Sequence, residues 1–97
     1  MRRPLIVSDD LRDFIRHLPP ALKKKVKDGL QEITGDPASG KALRDDLAGL
    51  RSYWIGAVRI IYQADERALT LITVGPRKTV YQKAVLELKR RSEQKRD

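Results

Sequence analysis

Cysteine is absent from the 97 residues, which excludes a disulfide framework and any thiolate metal site. A single histidine, His17, excludes a histidine-rich metal cluster as well. No apolar run approaches the roughly 20 residues that a membrane-spanning helix needs. The opening "MRRPLIVSDD" holds only three consecutive apolar residues between its arginines and its acids, too few for the h-region of a signal peptide. A cytoplasmic protein with no membrane partner is therefore expected. Negative charge is also in short supply, with 13 Asp+Glu against 21 Lys+Arg and a formal net charge of +8. Such a surplus steers the molecule toward polyanions or an acidic protein partner. A solvated lysine-rich surface is the plainer alternative.

The length fits one small domain over residues 1–97. A chain this short buries only about two-thirds of its unfolded surface, so its core is thin and an obligate partner is expected. A 40% hydrophobic content marks it as globular.

Periodicity divides the chain. "PLIV" is a short strand-prone run, and Ser8 or Asp9 can cap the helix that follows by accepting a backbone N–H. Leu11, Phe14, Ile15 and Leu18 repeat at i, i+3, i+4 and i+7, one helical face. Pro19-Pro20 ends that helix and starts another, whose stripe is Leu22, Val26, Leu30 and Ile33. "TGDPASGKAL" has loop composition, and Leu43, Leu47 and Leu50 anchor an irregular turn after it. From Arg51 the pattern is β. "RSYWIGAVRIIYQ" and "ALTLITV" flank the polar "ADER" and predict an antiparallel hairpin. Gly56 marks either a bulge or a turn between two shorter strands. "QKAVLELKRRSEQKRD" begins as a helix and becomes a charged tail from about residue 89.

The expected fold class is α+β. An N-terminal strand and a helical hairpin pack on one face of a small antiparallel sheet, followed by a C-terminal helix. Alternation puts Val58, Ile60 and Tyr62 on the hairpin side and Arg59 and Ile61 on the other. That second face is expected to be open, or covered by a partner.

Few residues suggest chemistry. Arg59 sits mid-strand in "VRIIY", where an unpaired guanidinium is costly if buried; it faces solvent, pairs with a carboxylate or awaits a phosphate. Arg77 follows the Gly75-Pro76 break and can fork onto phosphate oxygens. Tyr81 can stack on a base or serve the core. With "ADER" centring the hairpin, Arg59 pairs near Ile72, leaving Arg77 about five residues, or roughly 17 Å of strand, away. His17 reads more simply as a favourable helix C-terminal cation than as a general base. "KKKVK" is the solvated face of a helix, and "DPASGK" lacks the pattern of a phosphate-binding loop. Asp45 and Asp46 are adjacent and diverge, so they make no catalytic pair.

Taken in order, "LRDFIRHLPPALKKKVKDGLQEI", "DPASGKALRDDLAGLRSYWIGAVRIIYQ" and "LTLITVGPRKTVY" resemble the RelE/ParE superfamily of bacterial toxins over nearly the whole chain. The resemblance implies a small toxin neutralised by a cognate antitoxin. In the RelE branch it implies cleavage of mRNA on the ribosome, by attack of a ribose 2′-OH on the neighbouring phosphate, without a metal or other cofactor. In the ParE branch it implies inhibition of DNA gyrase without nuclease chemistry. A third alternative is a relative that has lost activity and only pairs with its antitoxin. By position, Arg59 resembles the strand arginine that stabilises the phosphate, Arg77 the arginine assigned to phosphate stabilisation or protonation of the leaving group, and Tyr81 the C-terminal tyrosine that orients the nucleotide by stacking or acid–base work. Lys41, Arg44, Arg51, Trp54 and Lys78 are the expected RNA contacts. The chain departs from relatives at Trp54, Ala57 and Val58, where a basic or aromatic residue is common. It departs again at Pro76, where His is frequent. The lysine pair able to act as base has no counterpart in this run.

Overall fold

The computed structural model describes residues 3–94. Helix α1 (Asp9–Arg16) starts at Ser8, whose Oγ accepts the Leu11 N–H at 3.2 Å, so Ser8 is the cap. It ends at His17, whose Nδ1 donates to the Asp13 carbonyl at 2.8 Å. That ring nitrogen is spent on closing the helix. Helix α2 (Pro20–Gly35) buries Val26, Gly29 and Ile33. Gly29 lets α2 approach the sheet closely: a Cβ there would lie 2.7 Å from Ile60 Cδ1, and that methyl would have to shift to admit it.

The strands are β1 (Leu5–Ile6), β2 (Lys41–Ala42), β3 (Arg51–Ile55), β4 (Val58–Ala64) and β5 (Leu69–Pro76), in the order β1-β5-β4-β3-β2. The central three form an antiparallel meander, while β1 joins β5 in parallel. Two residues of the predicted loop, Lys41 and Ala42, add the short edge strand β2, and a 3-10 turn (Asp45–Leu47) follows. Gly56, at φ +61°, and Ala57 make a two-residue turn between β3 and β4.

The sheet is covered on both faces. On one, α1 and α2 enclose Ile60, Tyr62, Leu69, Leu71 and Val74. On the other, Ile61 and Ile72 pack with Leu47, Leu50, Val80 and Ala84. The expectation of an open second face is overturned here. Helix α3 (Arg77–Gln94) begins directly after Pro76, and with no linker it folds back over β5. The stretch expected as a charged tail from about residue 89 is helical through Gln94; residues 95–97 lie outside the described residues. No described helix is long and apolar enough to cross a membrane.

Candidate functional site

The β4–β5 register assembles the site. Asp65 Oδ1 accepts the N–H groups of Arg67 and Ala68, both at 2.8 Å, and these two bonds hold its carboxyl below the usual carboxylate range. This turn pairs Ala64 with Leu69, one step inside "ADER". Further along, the partner of Ile61 is Thr73 and that of Tyr62 is Leu71, which leaves Ile72 as a bulge. Turn and bulge together move the partner of Arg59 from the expected Ile72 to Gly75. Arg77 therefore lies two residues, about 7 Å of chain, beyond the residue opposite Arg59. The predicted separation is corrected accordingly.

Arg59 is 92% buried (8% exposed) and faces no carboxylate in its hydrogen bonds. Its Nη1 donates to the carbonyls of Gly56 at 3.1 Å and Val58 at 3.4 Å. Its cross-strand partner Trp54 lies over the guanidinium, 4.2 Å from ring centroid to Cζ, a cation–π contact. The indole itself is 55% exposed. Arg59 Nε and Ser52 Oγ are buried without a hydrogen-bond partner. Arg77 and Lys78 are exposed on the first turn of α3, and Tyr81 is half-buried against the core beneath that helix.

The structure thus brings Trp54, Arg59, Arg77 and Lys78 to one end of the sheet, with Tyr81 a turn along α3. It does not bring Lys41, Arg44 or Arg51 there. Arg51 pairs with Tyr62, at the far end of β3, and its Nη1 donates to the Gly40 carbonyl at 2.6 Å, a structural tie. Lys41 and Arg44 are exposed near that same end. Two features escaped the sequence reading. Lys25, read as part of a solvated face, brings its Nζ to 3.3 Å from where a Cβ on Gly56 would lie, adding a cation beside the β3–β4 turn. A groove of about 410 Å³ also runs between α1 and α3, lined by Leu11, Phe14, Ile72, Lys83, Leu86 and Arg90 among others. None of the sequence-predicted residues lines it. Among the described residues no group of three or more His, Asp or Glu side chains is placed to hold a metal ion.

A family described as ParE toxin of type II toxin-antitoxin system, parDE, matches residues 7–81. The chain belongs to the ParE toxin family. Solved structures place this ParE-family toxin in the wider RelE/ParE superfamily. The RelBE2 toxin-antitoxin complex of Mycobacterium tuberculosis is similar at 25% identity, covering 79% of this chain and 100% of that one, with a TM-score of 0.69. A mutant of the E. coli toxin RelE in the free state is 22% identical, covering 91% and 99%, with a TM-score of 0.71. The YoeB-YefM complex of Staphylococcus aureus, at 17% identity, 76% and 95% coverage and a TM-score of 0.63, shares the fold. No curated protein sequence matches the toxin.

Proposed function

We propose that this toxin acts in the cytoplasm as a ribosome-dependent mRNA endonuclease, held in check by a cognate antitoxin. The observation that carries the reading is the register that sets Arg59 opposite Gly75 and so near Arg77. Attack of a ribose 2′-OH on the adjacent phosphate builds negative charge on a crowded phosphorane, and fixed cations lower its energy. Arg77, exposed at the start of α3, grips the phosphate, and Arg59 supplies the second cation from the sheet. Lys78 and Lys25 extend the positive field. Tyr81 orients the nucleotide, and the free face of Trp54 offers a platform on which a base can stack. The products are a 2′,3′-cyclic phosphate and a free 5′-OH. An antitoxin partner is supported by the toxin-antitoxin complexes among the structural relatives.

Primer extension on mRNA in a translating extract tests this, comparing wild type with Arg77→Ala. Cleavage at A-site codons by the wild type is expected, reduced about a hundredfold or more in the variant. Arg77 is exposed, so its fold should be untouched. A second reading, inhibition of DNA gyrase without cleavage, is favoured by one observation: Arg59 already spends Nη1 on two backbone carbonyls under an indole. Intact mRNA in the presence of a wild-type toxin that still stops growth would reject the nuclease and favour that reading. A supercoiling assay would then decide it.

A further inference from the structure

The role of second cation given to Arg59 meets an obstacle in its burial. At 8% exposure, a phosphate oxygen cannot reach the guanidinium while the indole of Trp54 lies across it. Yet the arginine is not in a finished structural setting. It has no carboxylate partner among its hydrogen bonds, and its bonds run to carbonyls one and three residues away in its own hairpin. Its Nε lacks a partner altogether. On the same face, Ser52 stands two residues from Trp54 and pairs with Ile61, diagonal to Arg59; its buried Oγ is also unpartnered. Buried polar atoms without partners are rare, and two on neighbouring strands mark hydrogen-bonding capacity held unspent. Over the guanidinium lies the indole of Trp54, itself more than half exposed.

We propose that Trp54 is a lid on Arg59, opened by an unpaired nucleotide that brings a phosphate and a base together. This rests on the nuclease reading and adds its ligand requirement. A phosphate alone must displace the indole from its cation and leaves the ring with nothing in exchange. A single-stranded nucleotide gives the guanidinium its phosphate and gives the displaced indole a base to stack on. Bases within a duplex are already stacked and make no such offer. Trp54 is therefore a specificity-determining residue that requires both halves of the ligand at once, and the free toxin keeps Arg59 closed.

Two measurements test it. The first is arginine modification by phenylglyoxal, mapped by mass spectrometry, with exposed Arg77 as internal reference. With the open form a minor state of about 0.1–10%, Arg59 should react about ten- to a thousandfold more slowly than Arg77 in the wild type. Trp54→Ala should bring the two rates within a few-fold, and Trp54→Phe, which keeps a ring, should retain protection. Circular dichroism confirms which variants fold. Equal rates in the wild type, or unchanged protection of Arg59 in folded Trp54→Ala, overturn the lid.

The second needs no variant, because Trp54 is the sole tryptophan. Single-stranded RNA carrying 2′-O-methyl groups cannot form the cyclic phosphate; its binding is followed by anisotropy. It should shift the indole emission, whereas inorganic phosphate or the same RNA in a duplex should not. RNA that binds without moving the emission, or phosphate that moves it alone, overturns the proposal. If Arg59 proves sealed by Trp54 but single-stranded RNA does not bind at all, the ligand requirement falls while the closed contact stands; the nuclease reading, which needs the ribosome, is decided separately by the primer extension above.

Discussion

Tyr62 shows how little freedom single residues have in a domain this small. Its side chain is fully buried, and its hydroxyl donates to the Pro37 carbonyl at 2.7 Å while accepting the Gly40 N–H at 2.9 Å. Burial pushes the phenol's pKa up, partly offset by the Gly40 hydrogen bond. A Cβ on Gly40 would lie 2.5 Å from that hydroxyl, so the close approach depends on glycine. Removing the hydroxyl in Tyr62→Phe should cost about 1–3 kcal/mol, because it strands a buried N–H and a carbonyl. Gly40→Ala should cost about as much, by forcing the ring off its seat. Deleting the hydroxyl also clears the nearest clash. The double variant should therefore lose less than the sum of the singles in urea unfolding. Strict additivity would show that the two residues do not meet in solution.

At the scale of elements, α3 decides what the site can be. Its sheet-facing residues Val80 and Ala84 close the second core. Its cations reach past them to strand β5, with Lys83 Nζ donating to the Val74 carbonyl at 2.9 Å. Glu87 braces the helix by accepting from Arg90 Nη2 at 2.6 Å and Nε at 3.1 Å. That hydrogen bond is the main cause holding its carboxyl below the usual range. A carboxylate depressed in the folded state contributes stability above the unfolded value of about 4.3 and loses it as pH falls through the folded value. The melting-temperature gap between wild type and Glu87→Gln should thus be present at pH 6 and close on the way to pH 3. It should amount to no more than about a few degrees, since the Arg90 side chain is about half exposed. A gap that persists at pH 3 would assign Glu87's role to packing. Elements of this kind were legible in the sequence wherever one periodicity ran unbroken: the stripes of α1 and α2, the Pro19-Pro20 break and the strands around Gly56. Register was not legible. The Asp65 turn and the Ile72 bulge, each a matter of a residue or two, decided whether Arg59 met Ile72 or Gly75. Nor was the burial of Arg59, because a strand shows which face a side chain takes but not that its cross-strand neighbour, Trp54, will lie across it. The basic and aromatic candidates were picked out by residue type. Their sorting into a site end and an Arg51 end needed the pairing.

For the whole molecule, the net charge of +8 and the two-sided cover constrain how an antitoxin can bind. An acidic, amphipathic segment would be drawn to the cationic end of the sheet, and its association rate should fall steeply as salt screens that field. Once there, only two ways of blocking the site are open to it. It can lie over Trp54, Arg77 and Lys78, or it can displace α3 and take its place over Ile61 and Ile72. The first should shift the emission of Trp54 and leave the amides of α3 as protected as in the free toxin. The second should strip hydrogen-exchange protection from residues 77–94, since the helix then loses the core contacts of Val80 and Ala84. Both measurements can be made on the purified complex and the free toxin side by side. A stable complex that changes neither would place the antitoxin elsewhere, and the α1–α3 groove, with Phe14 and Leu86 exposed along it, would be the next surface to probe. Neutralisation would then have to act by keeping the toxin from its target rather than by closing its site.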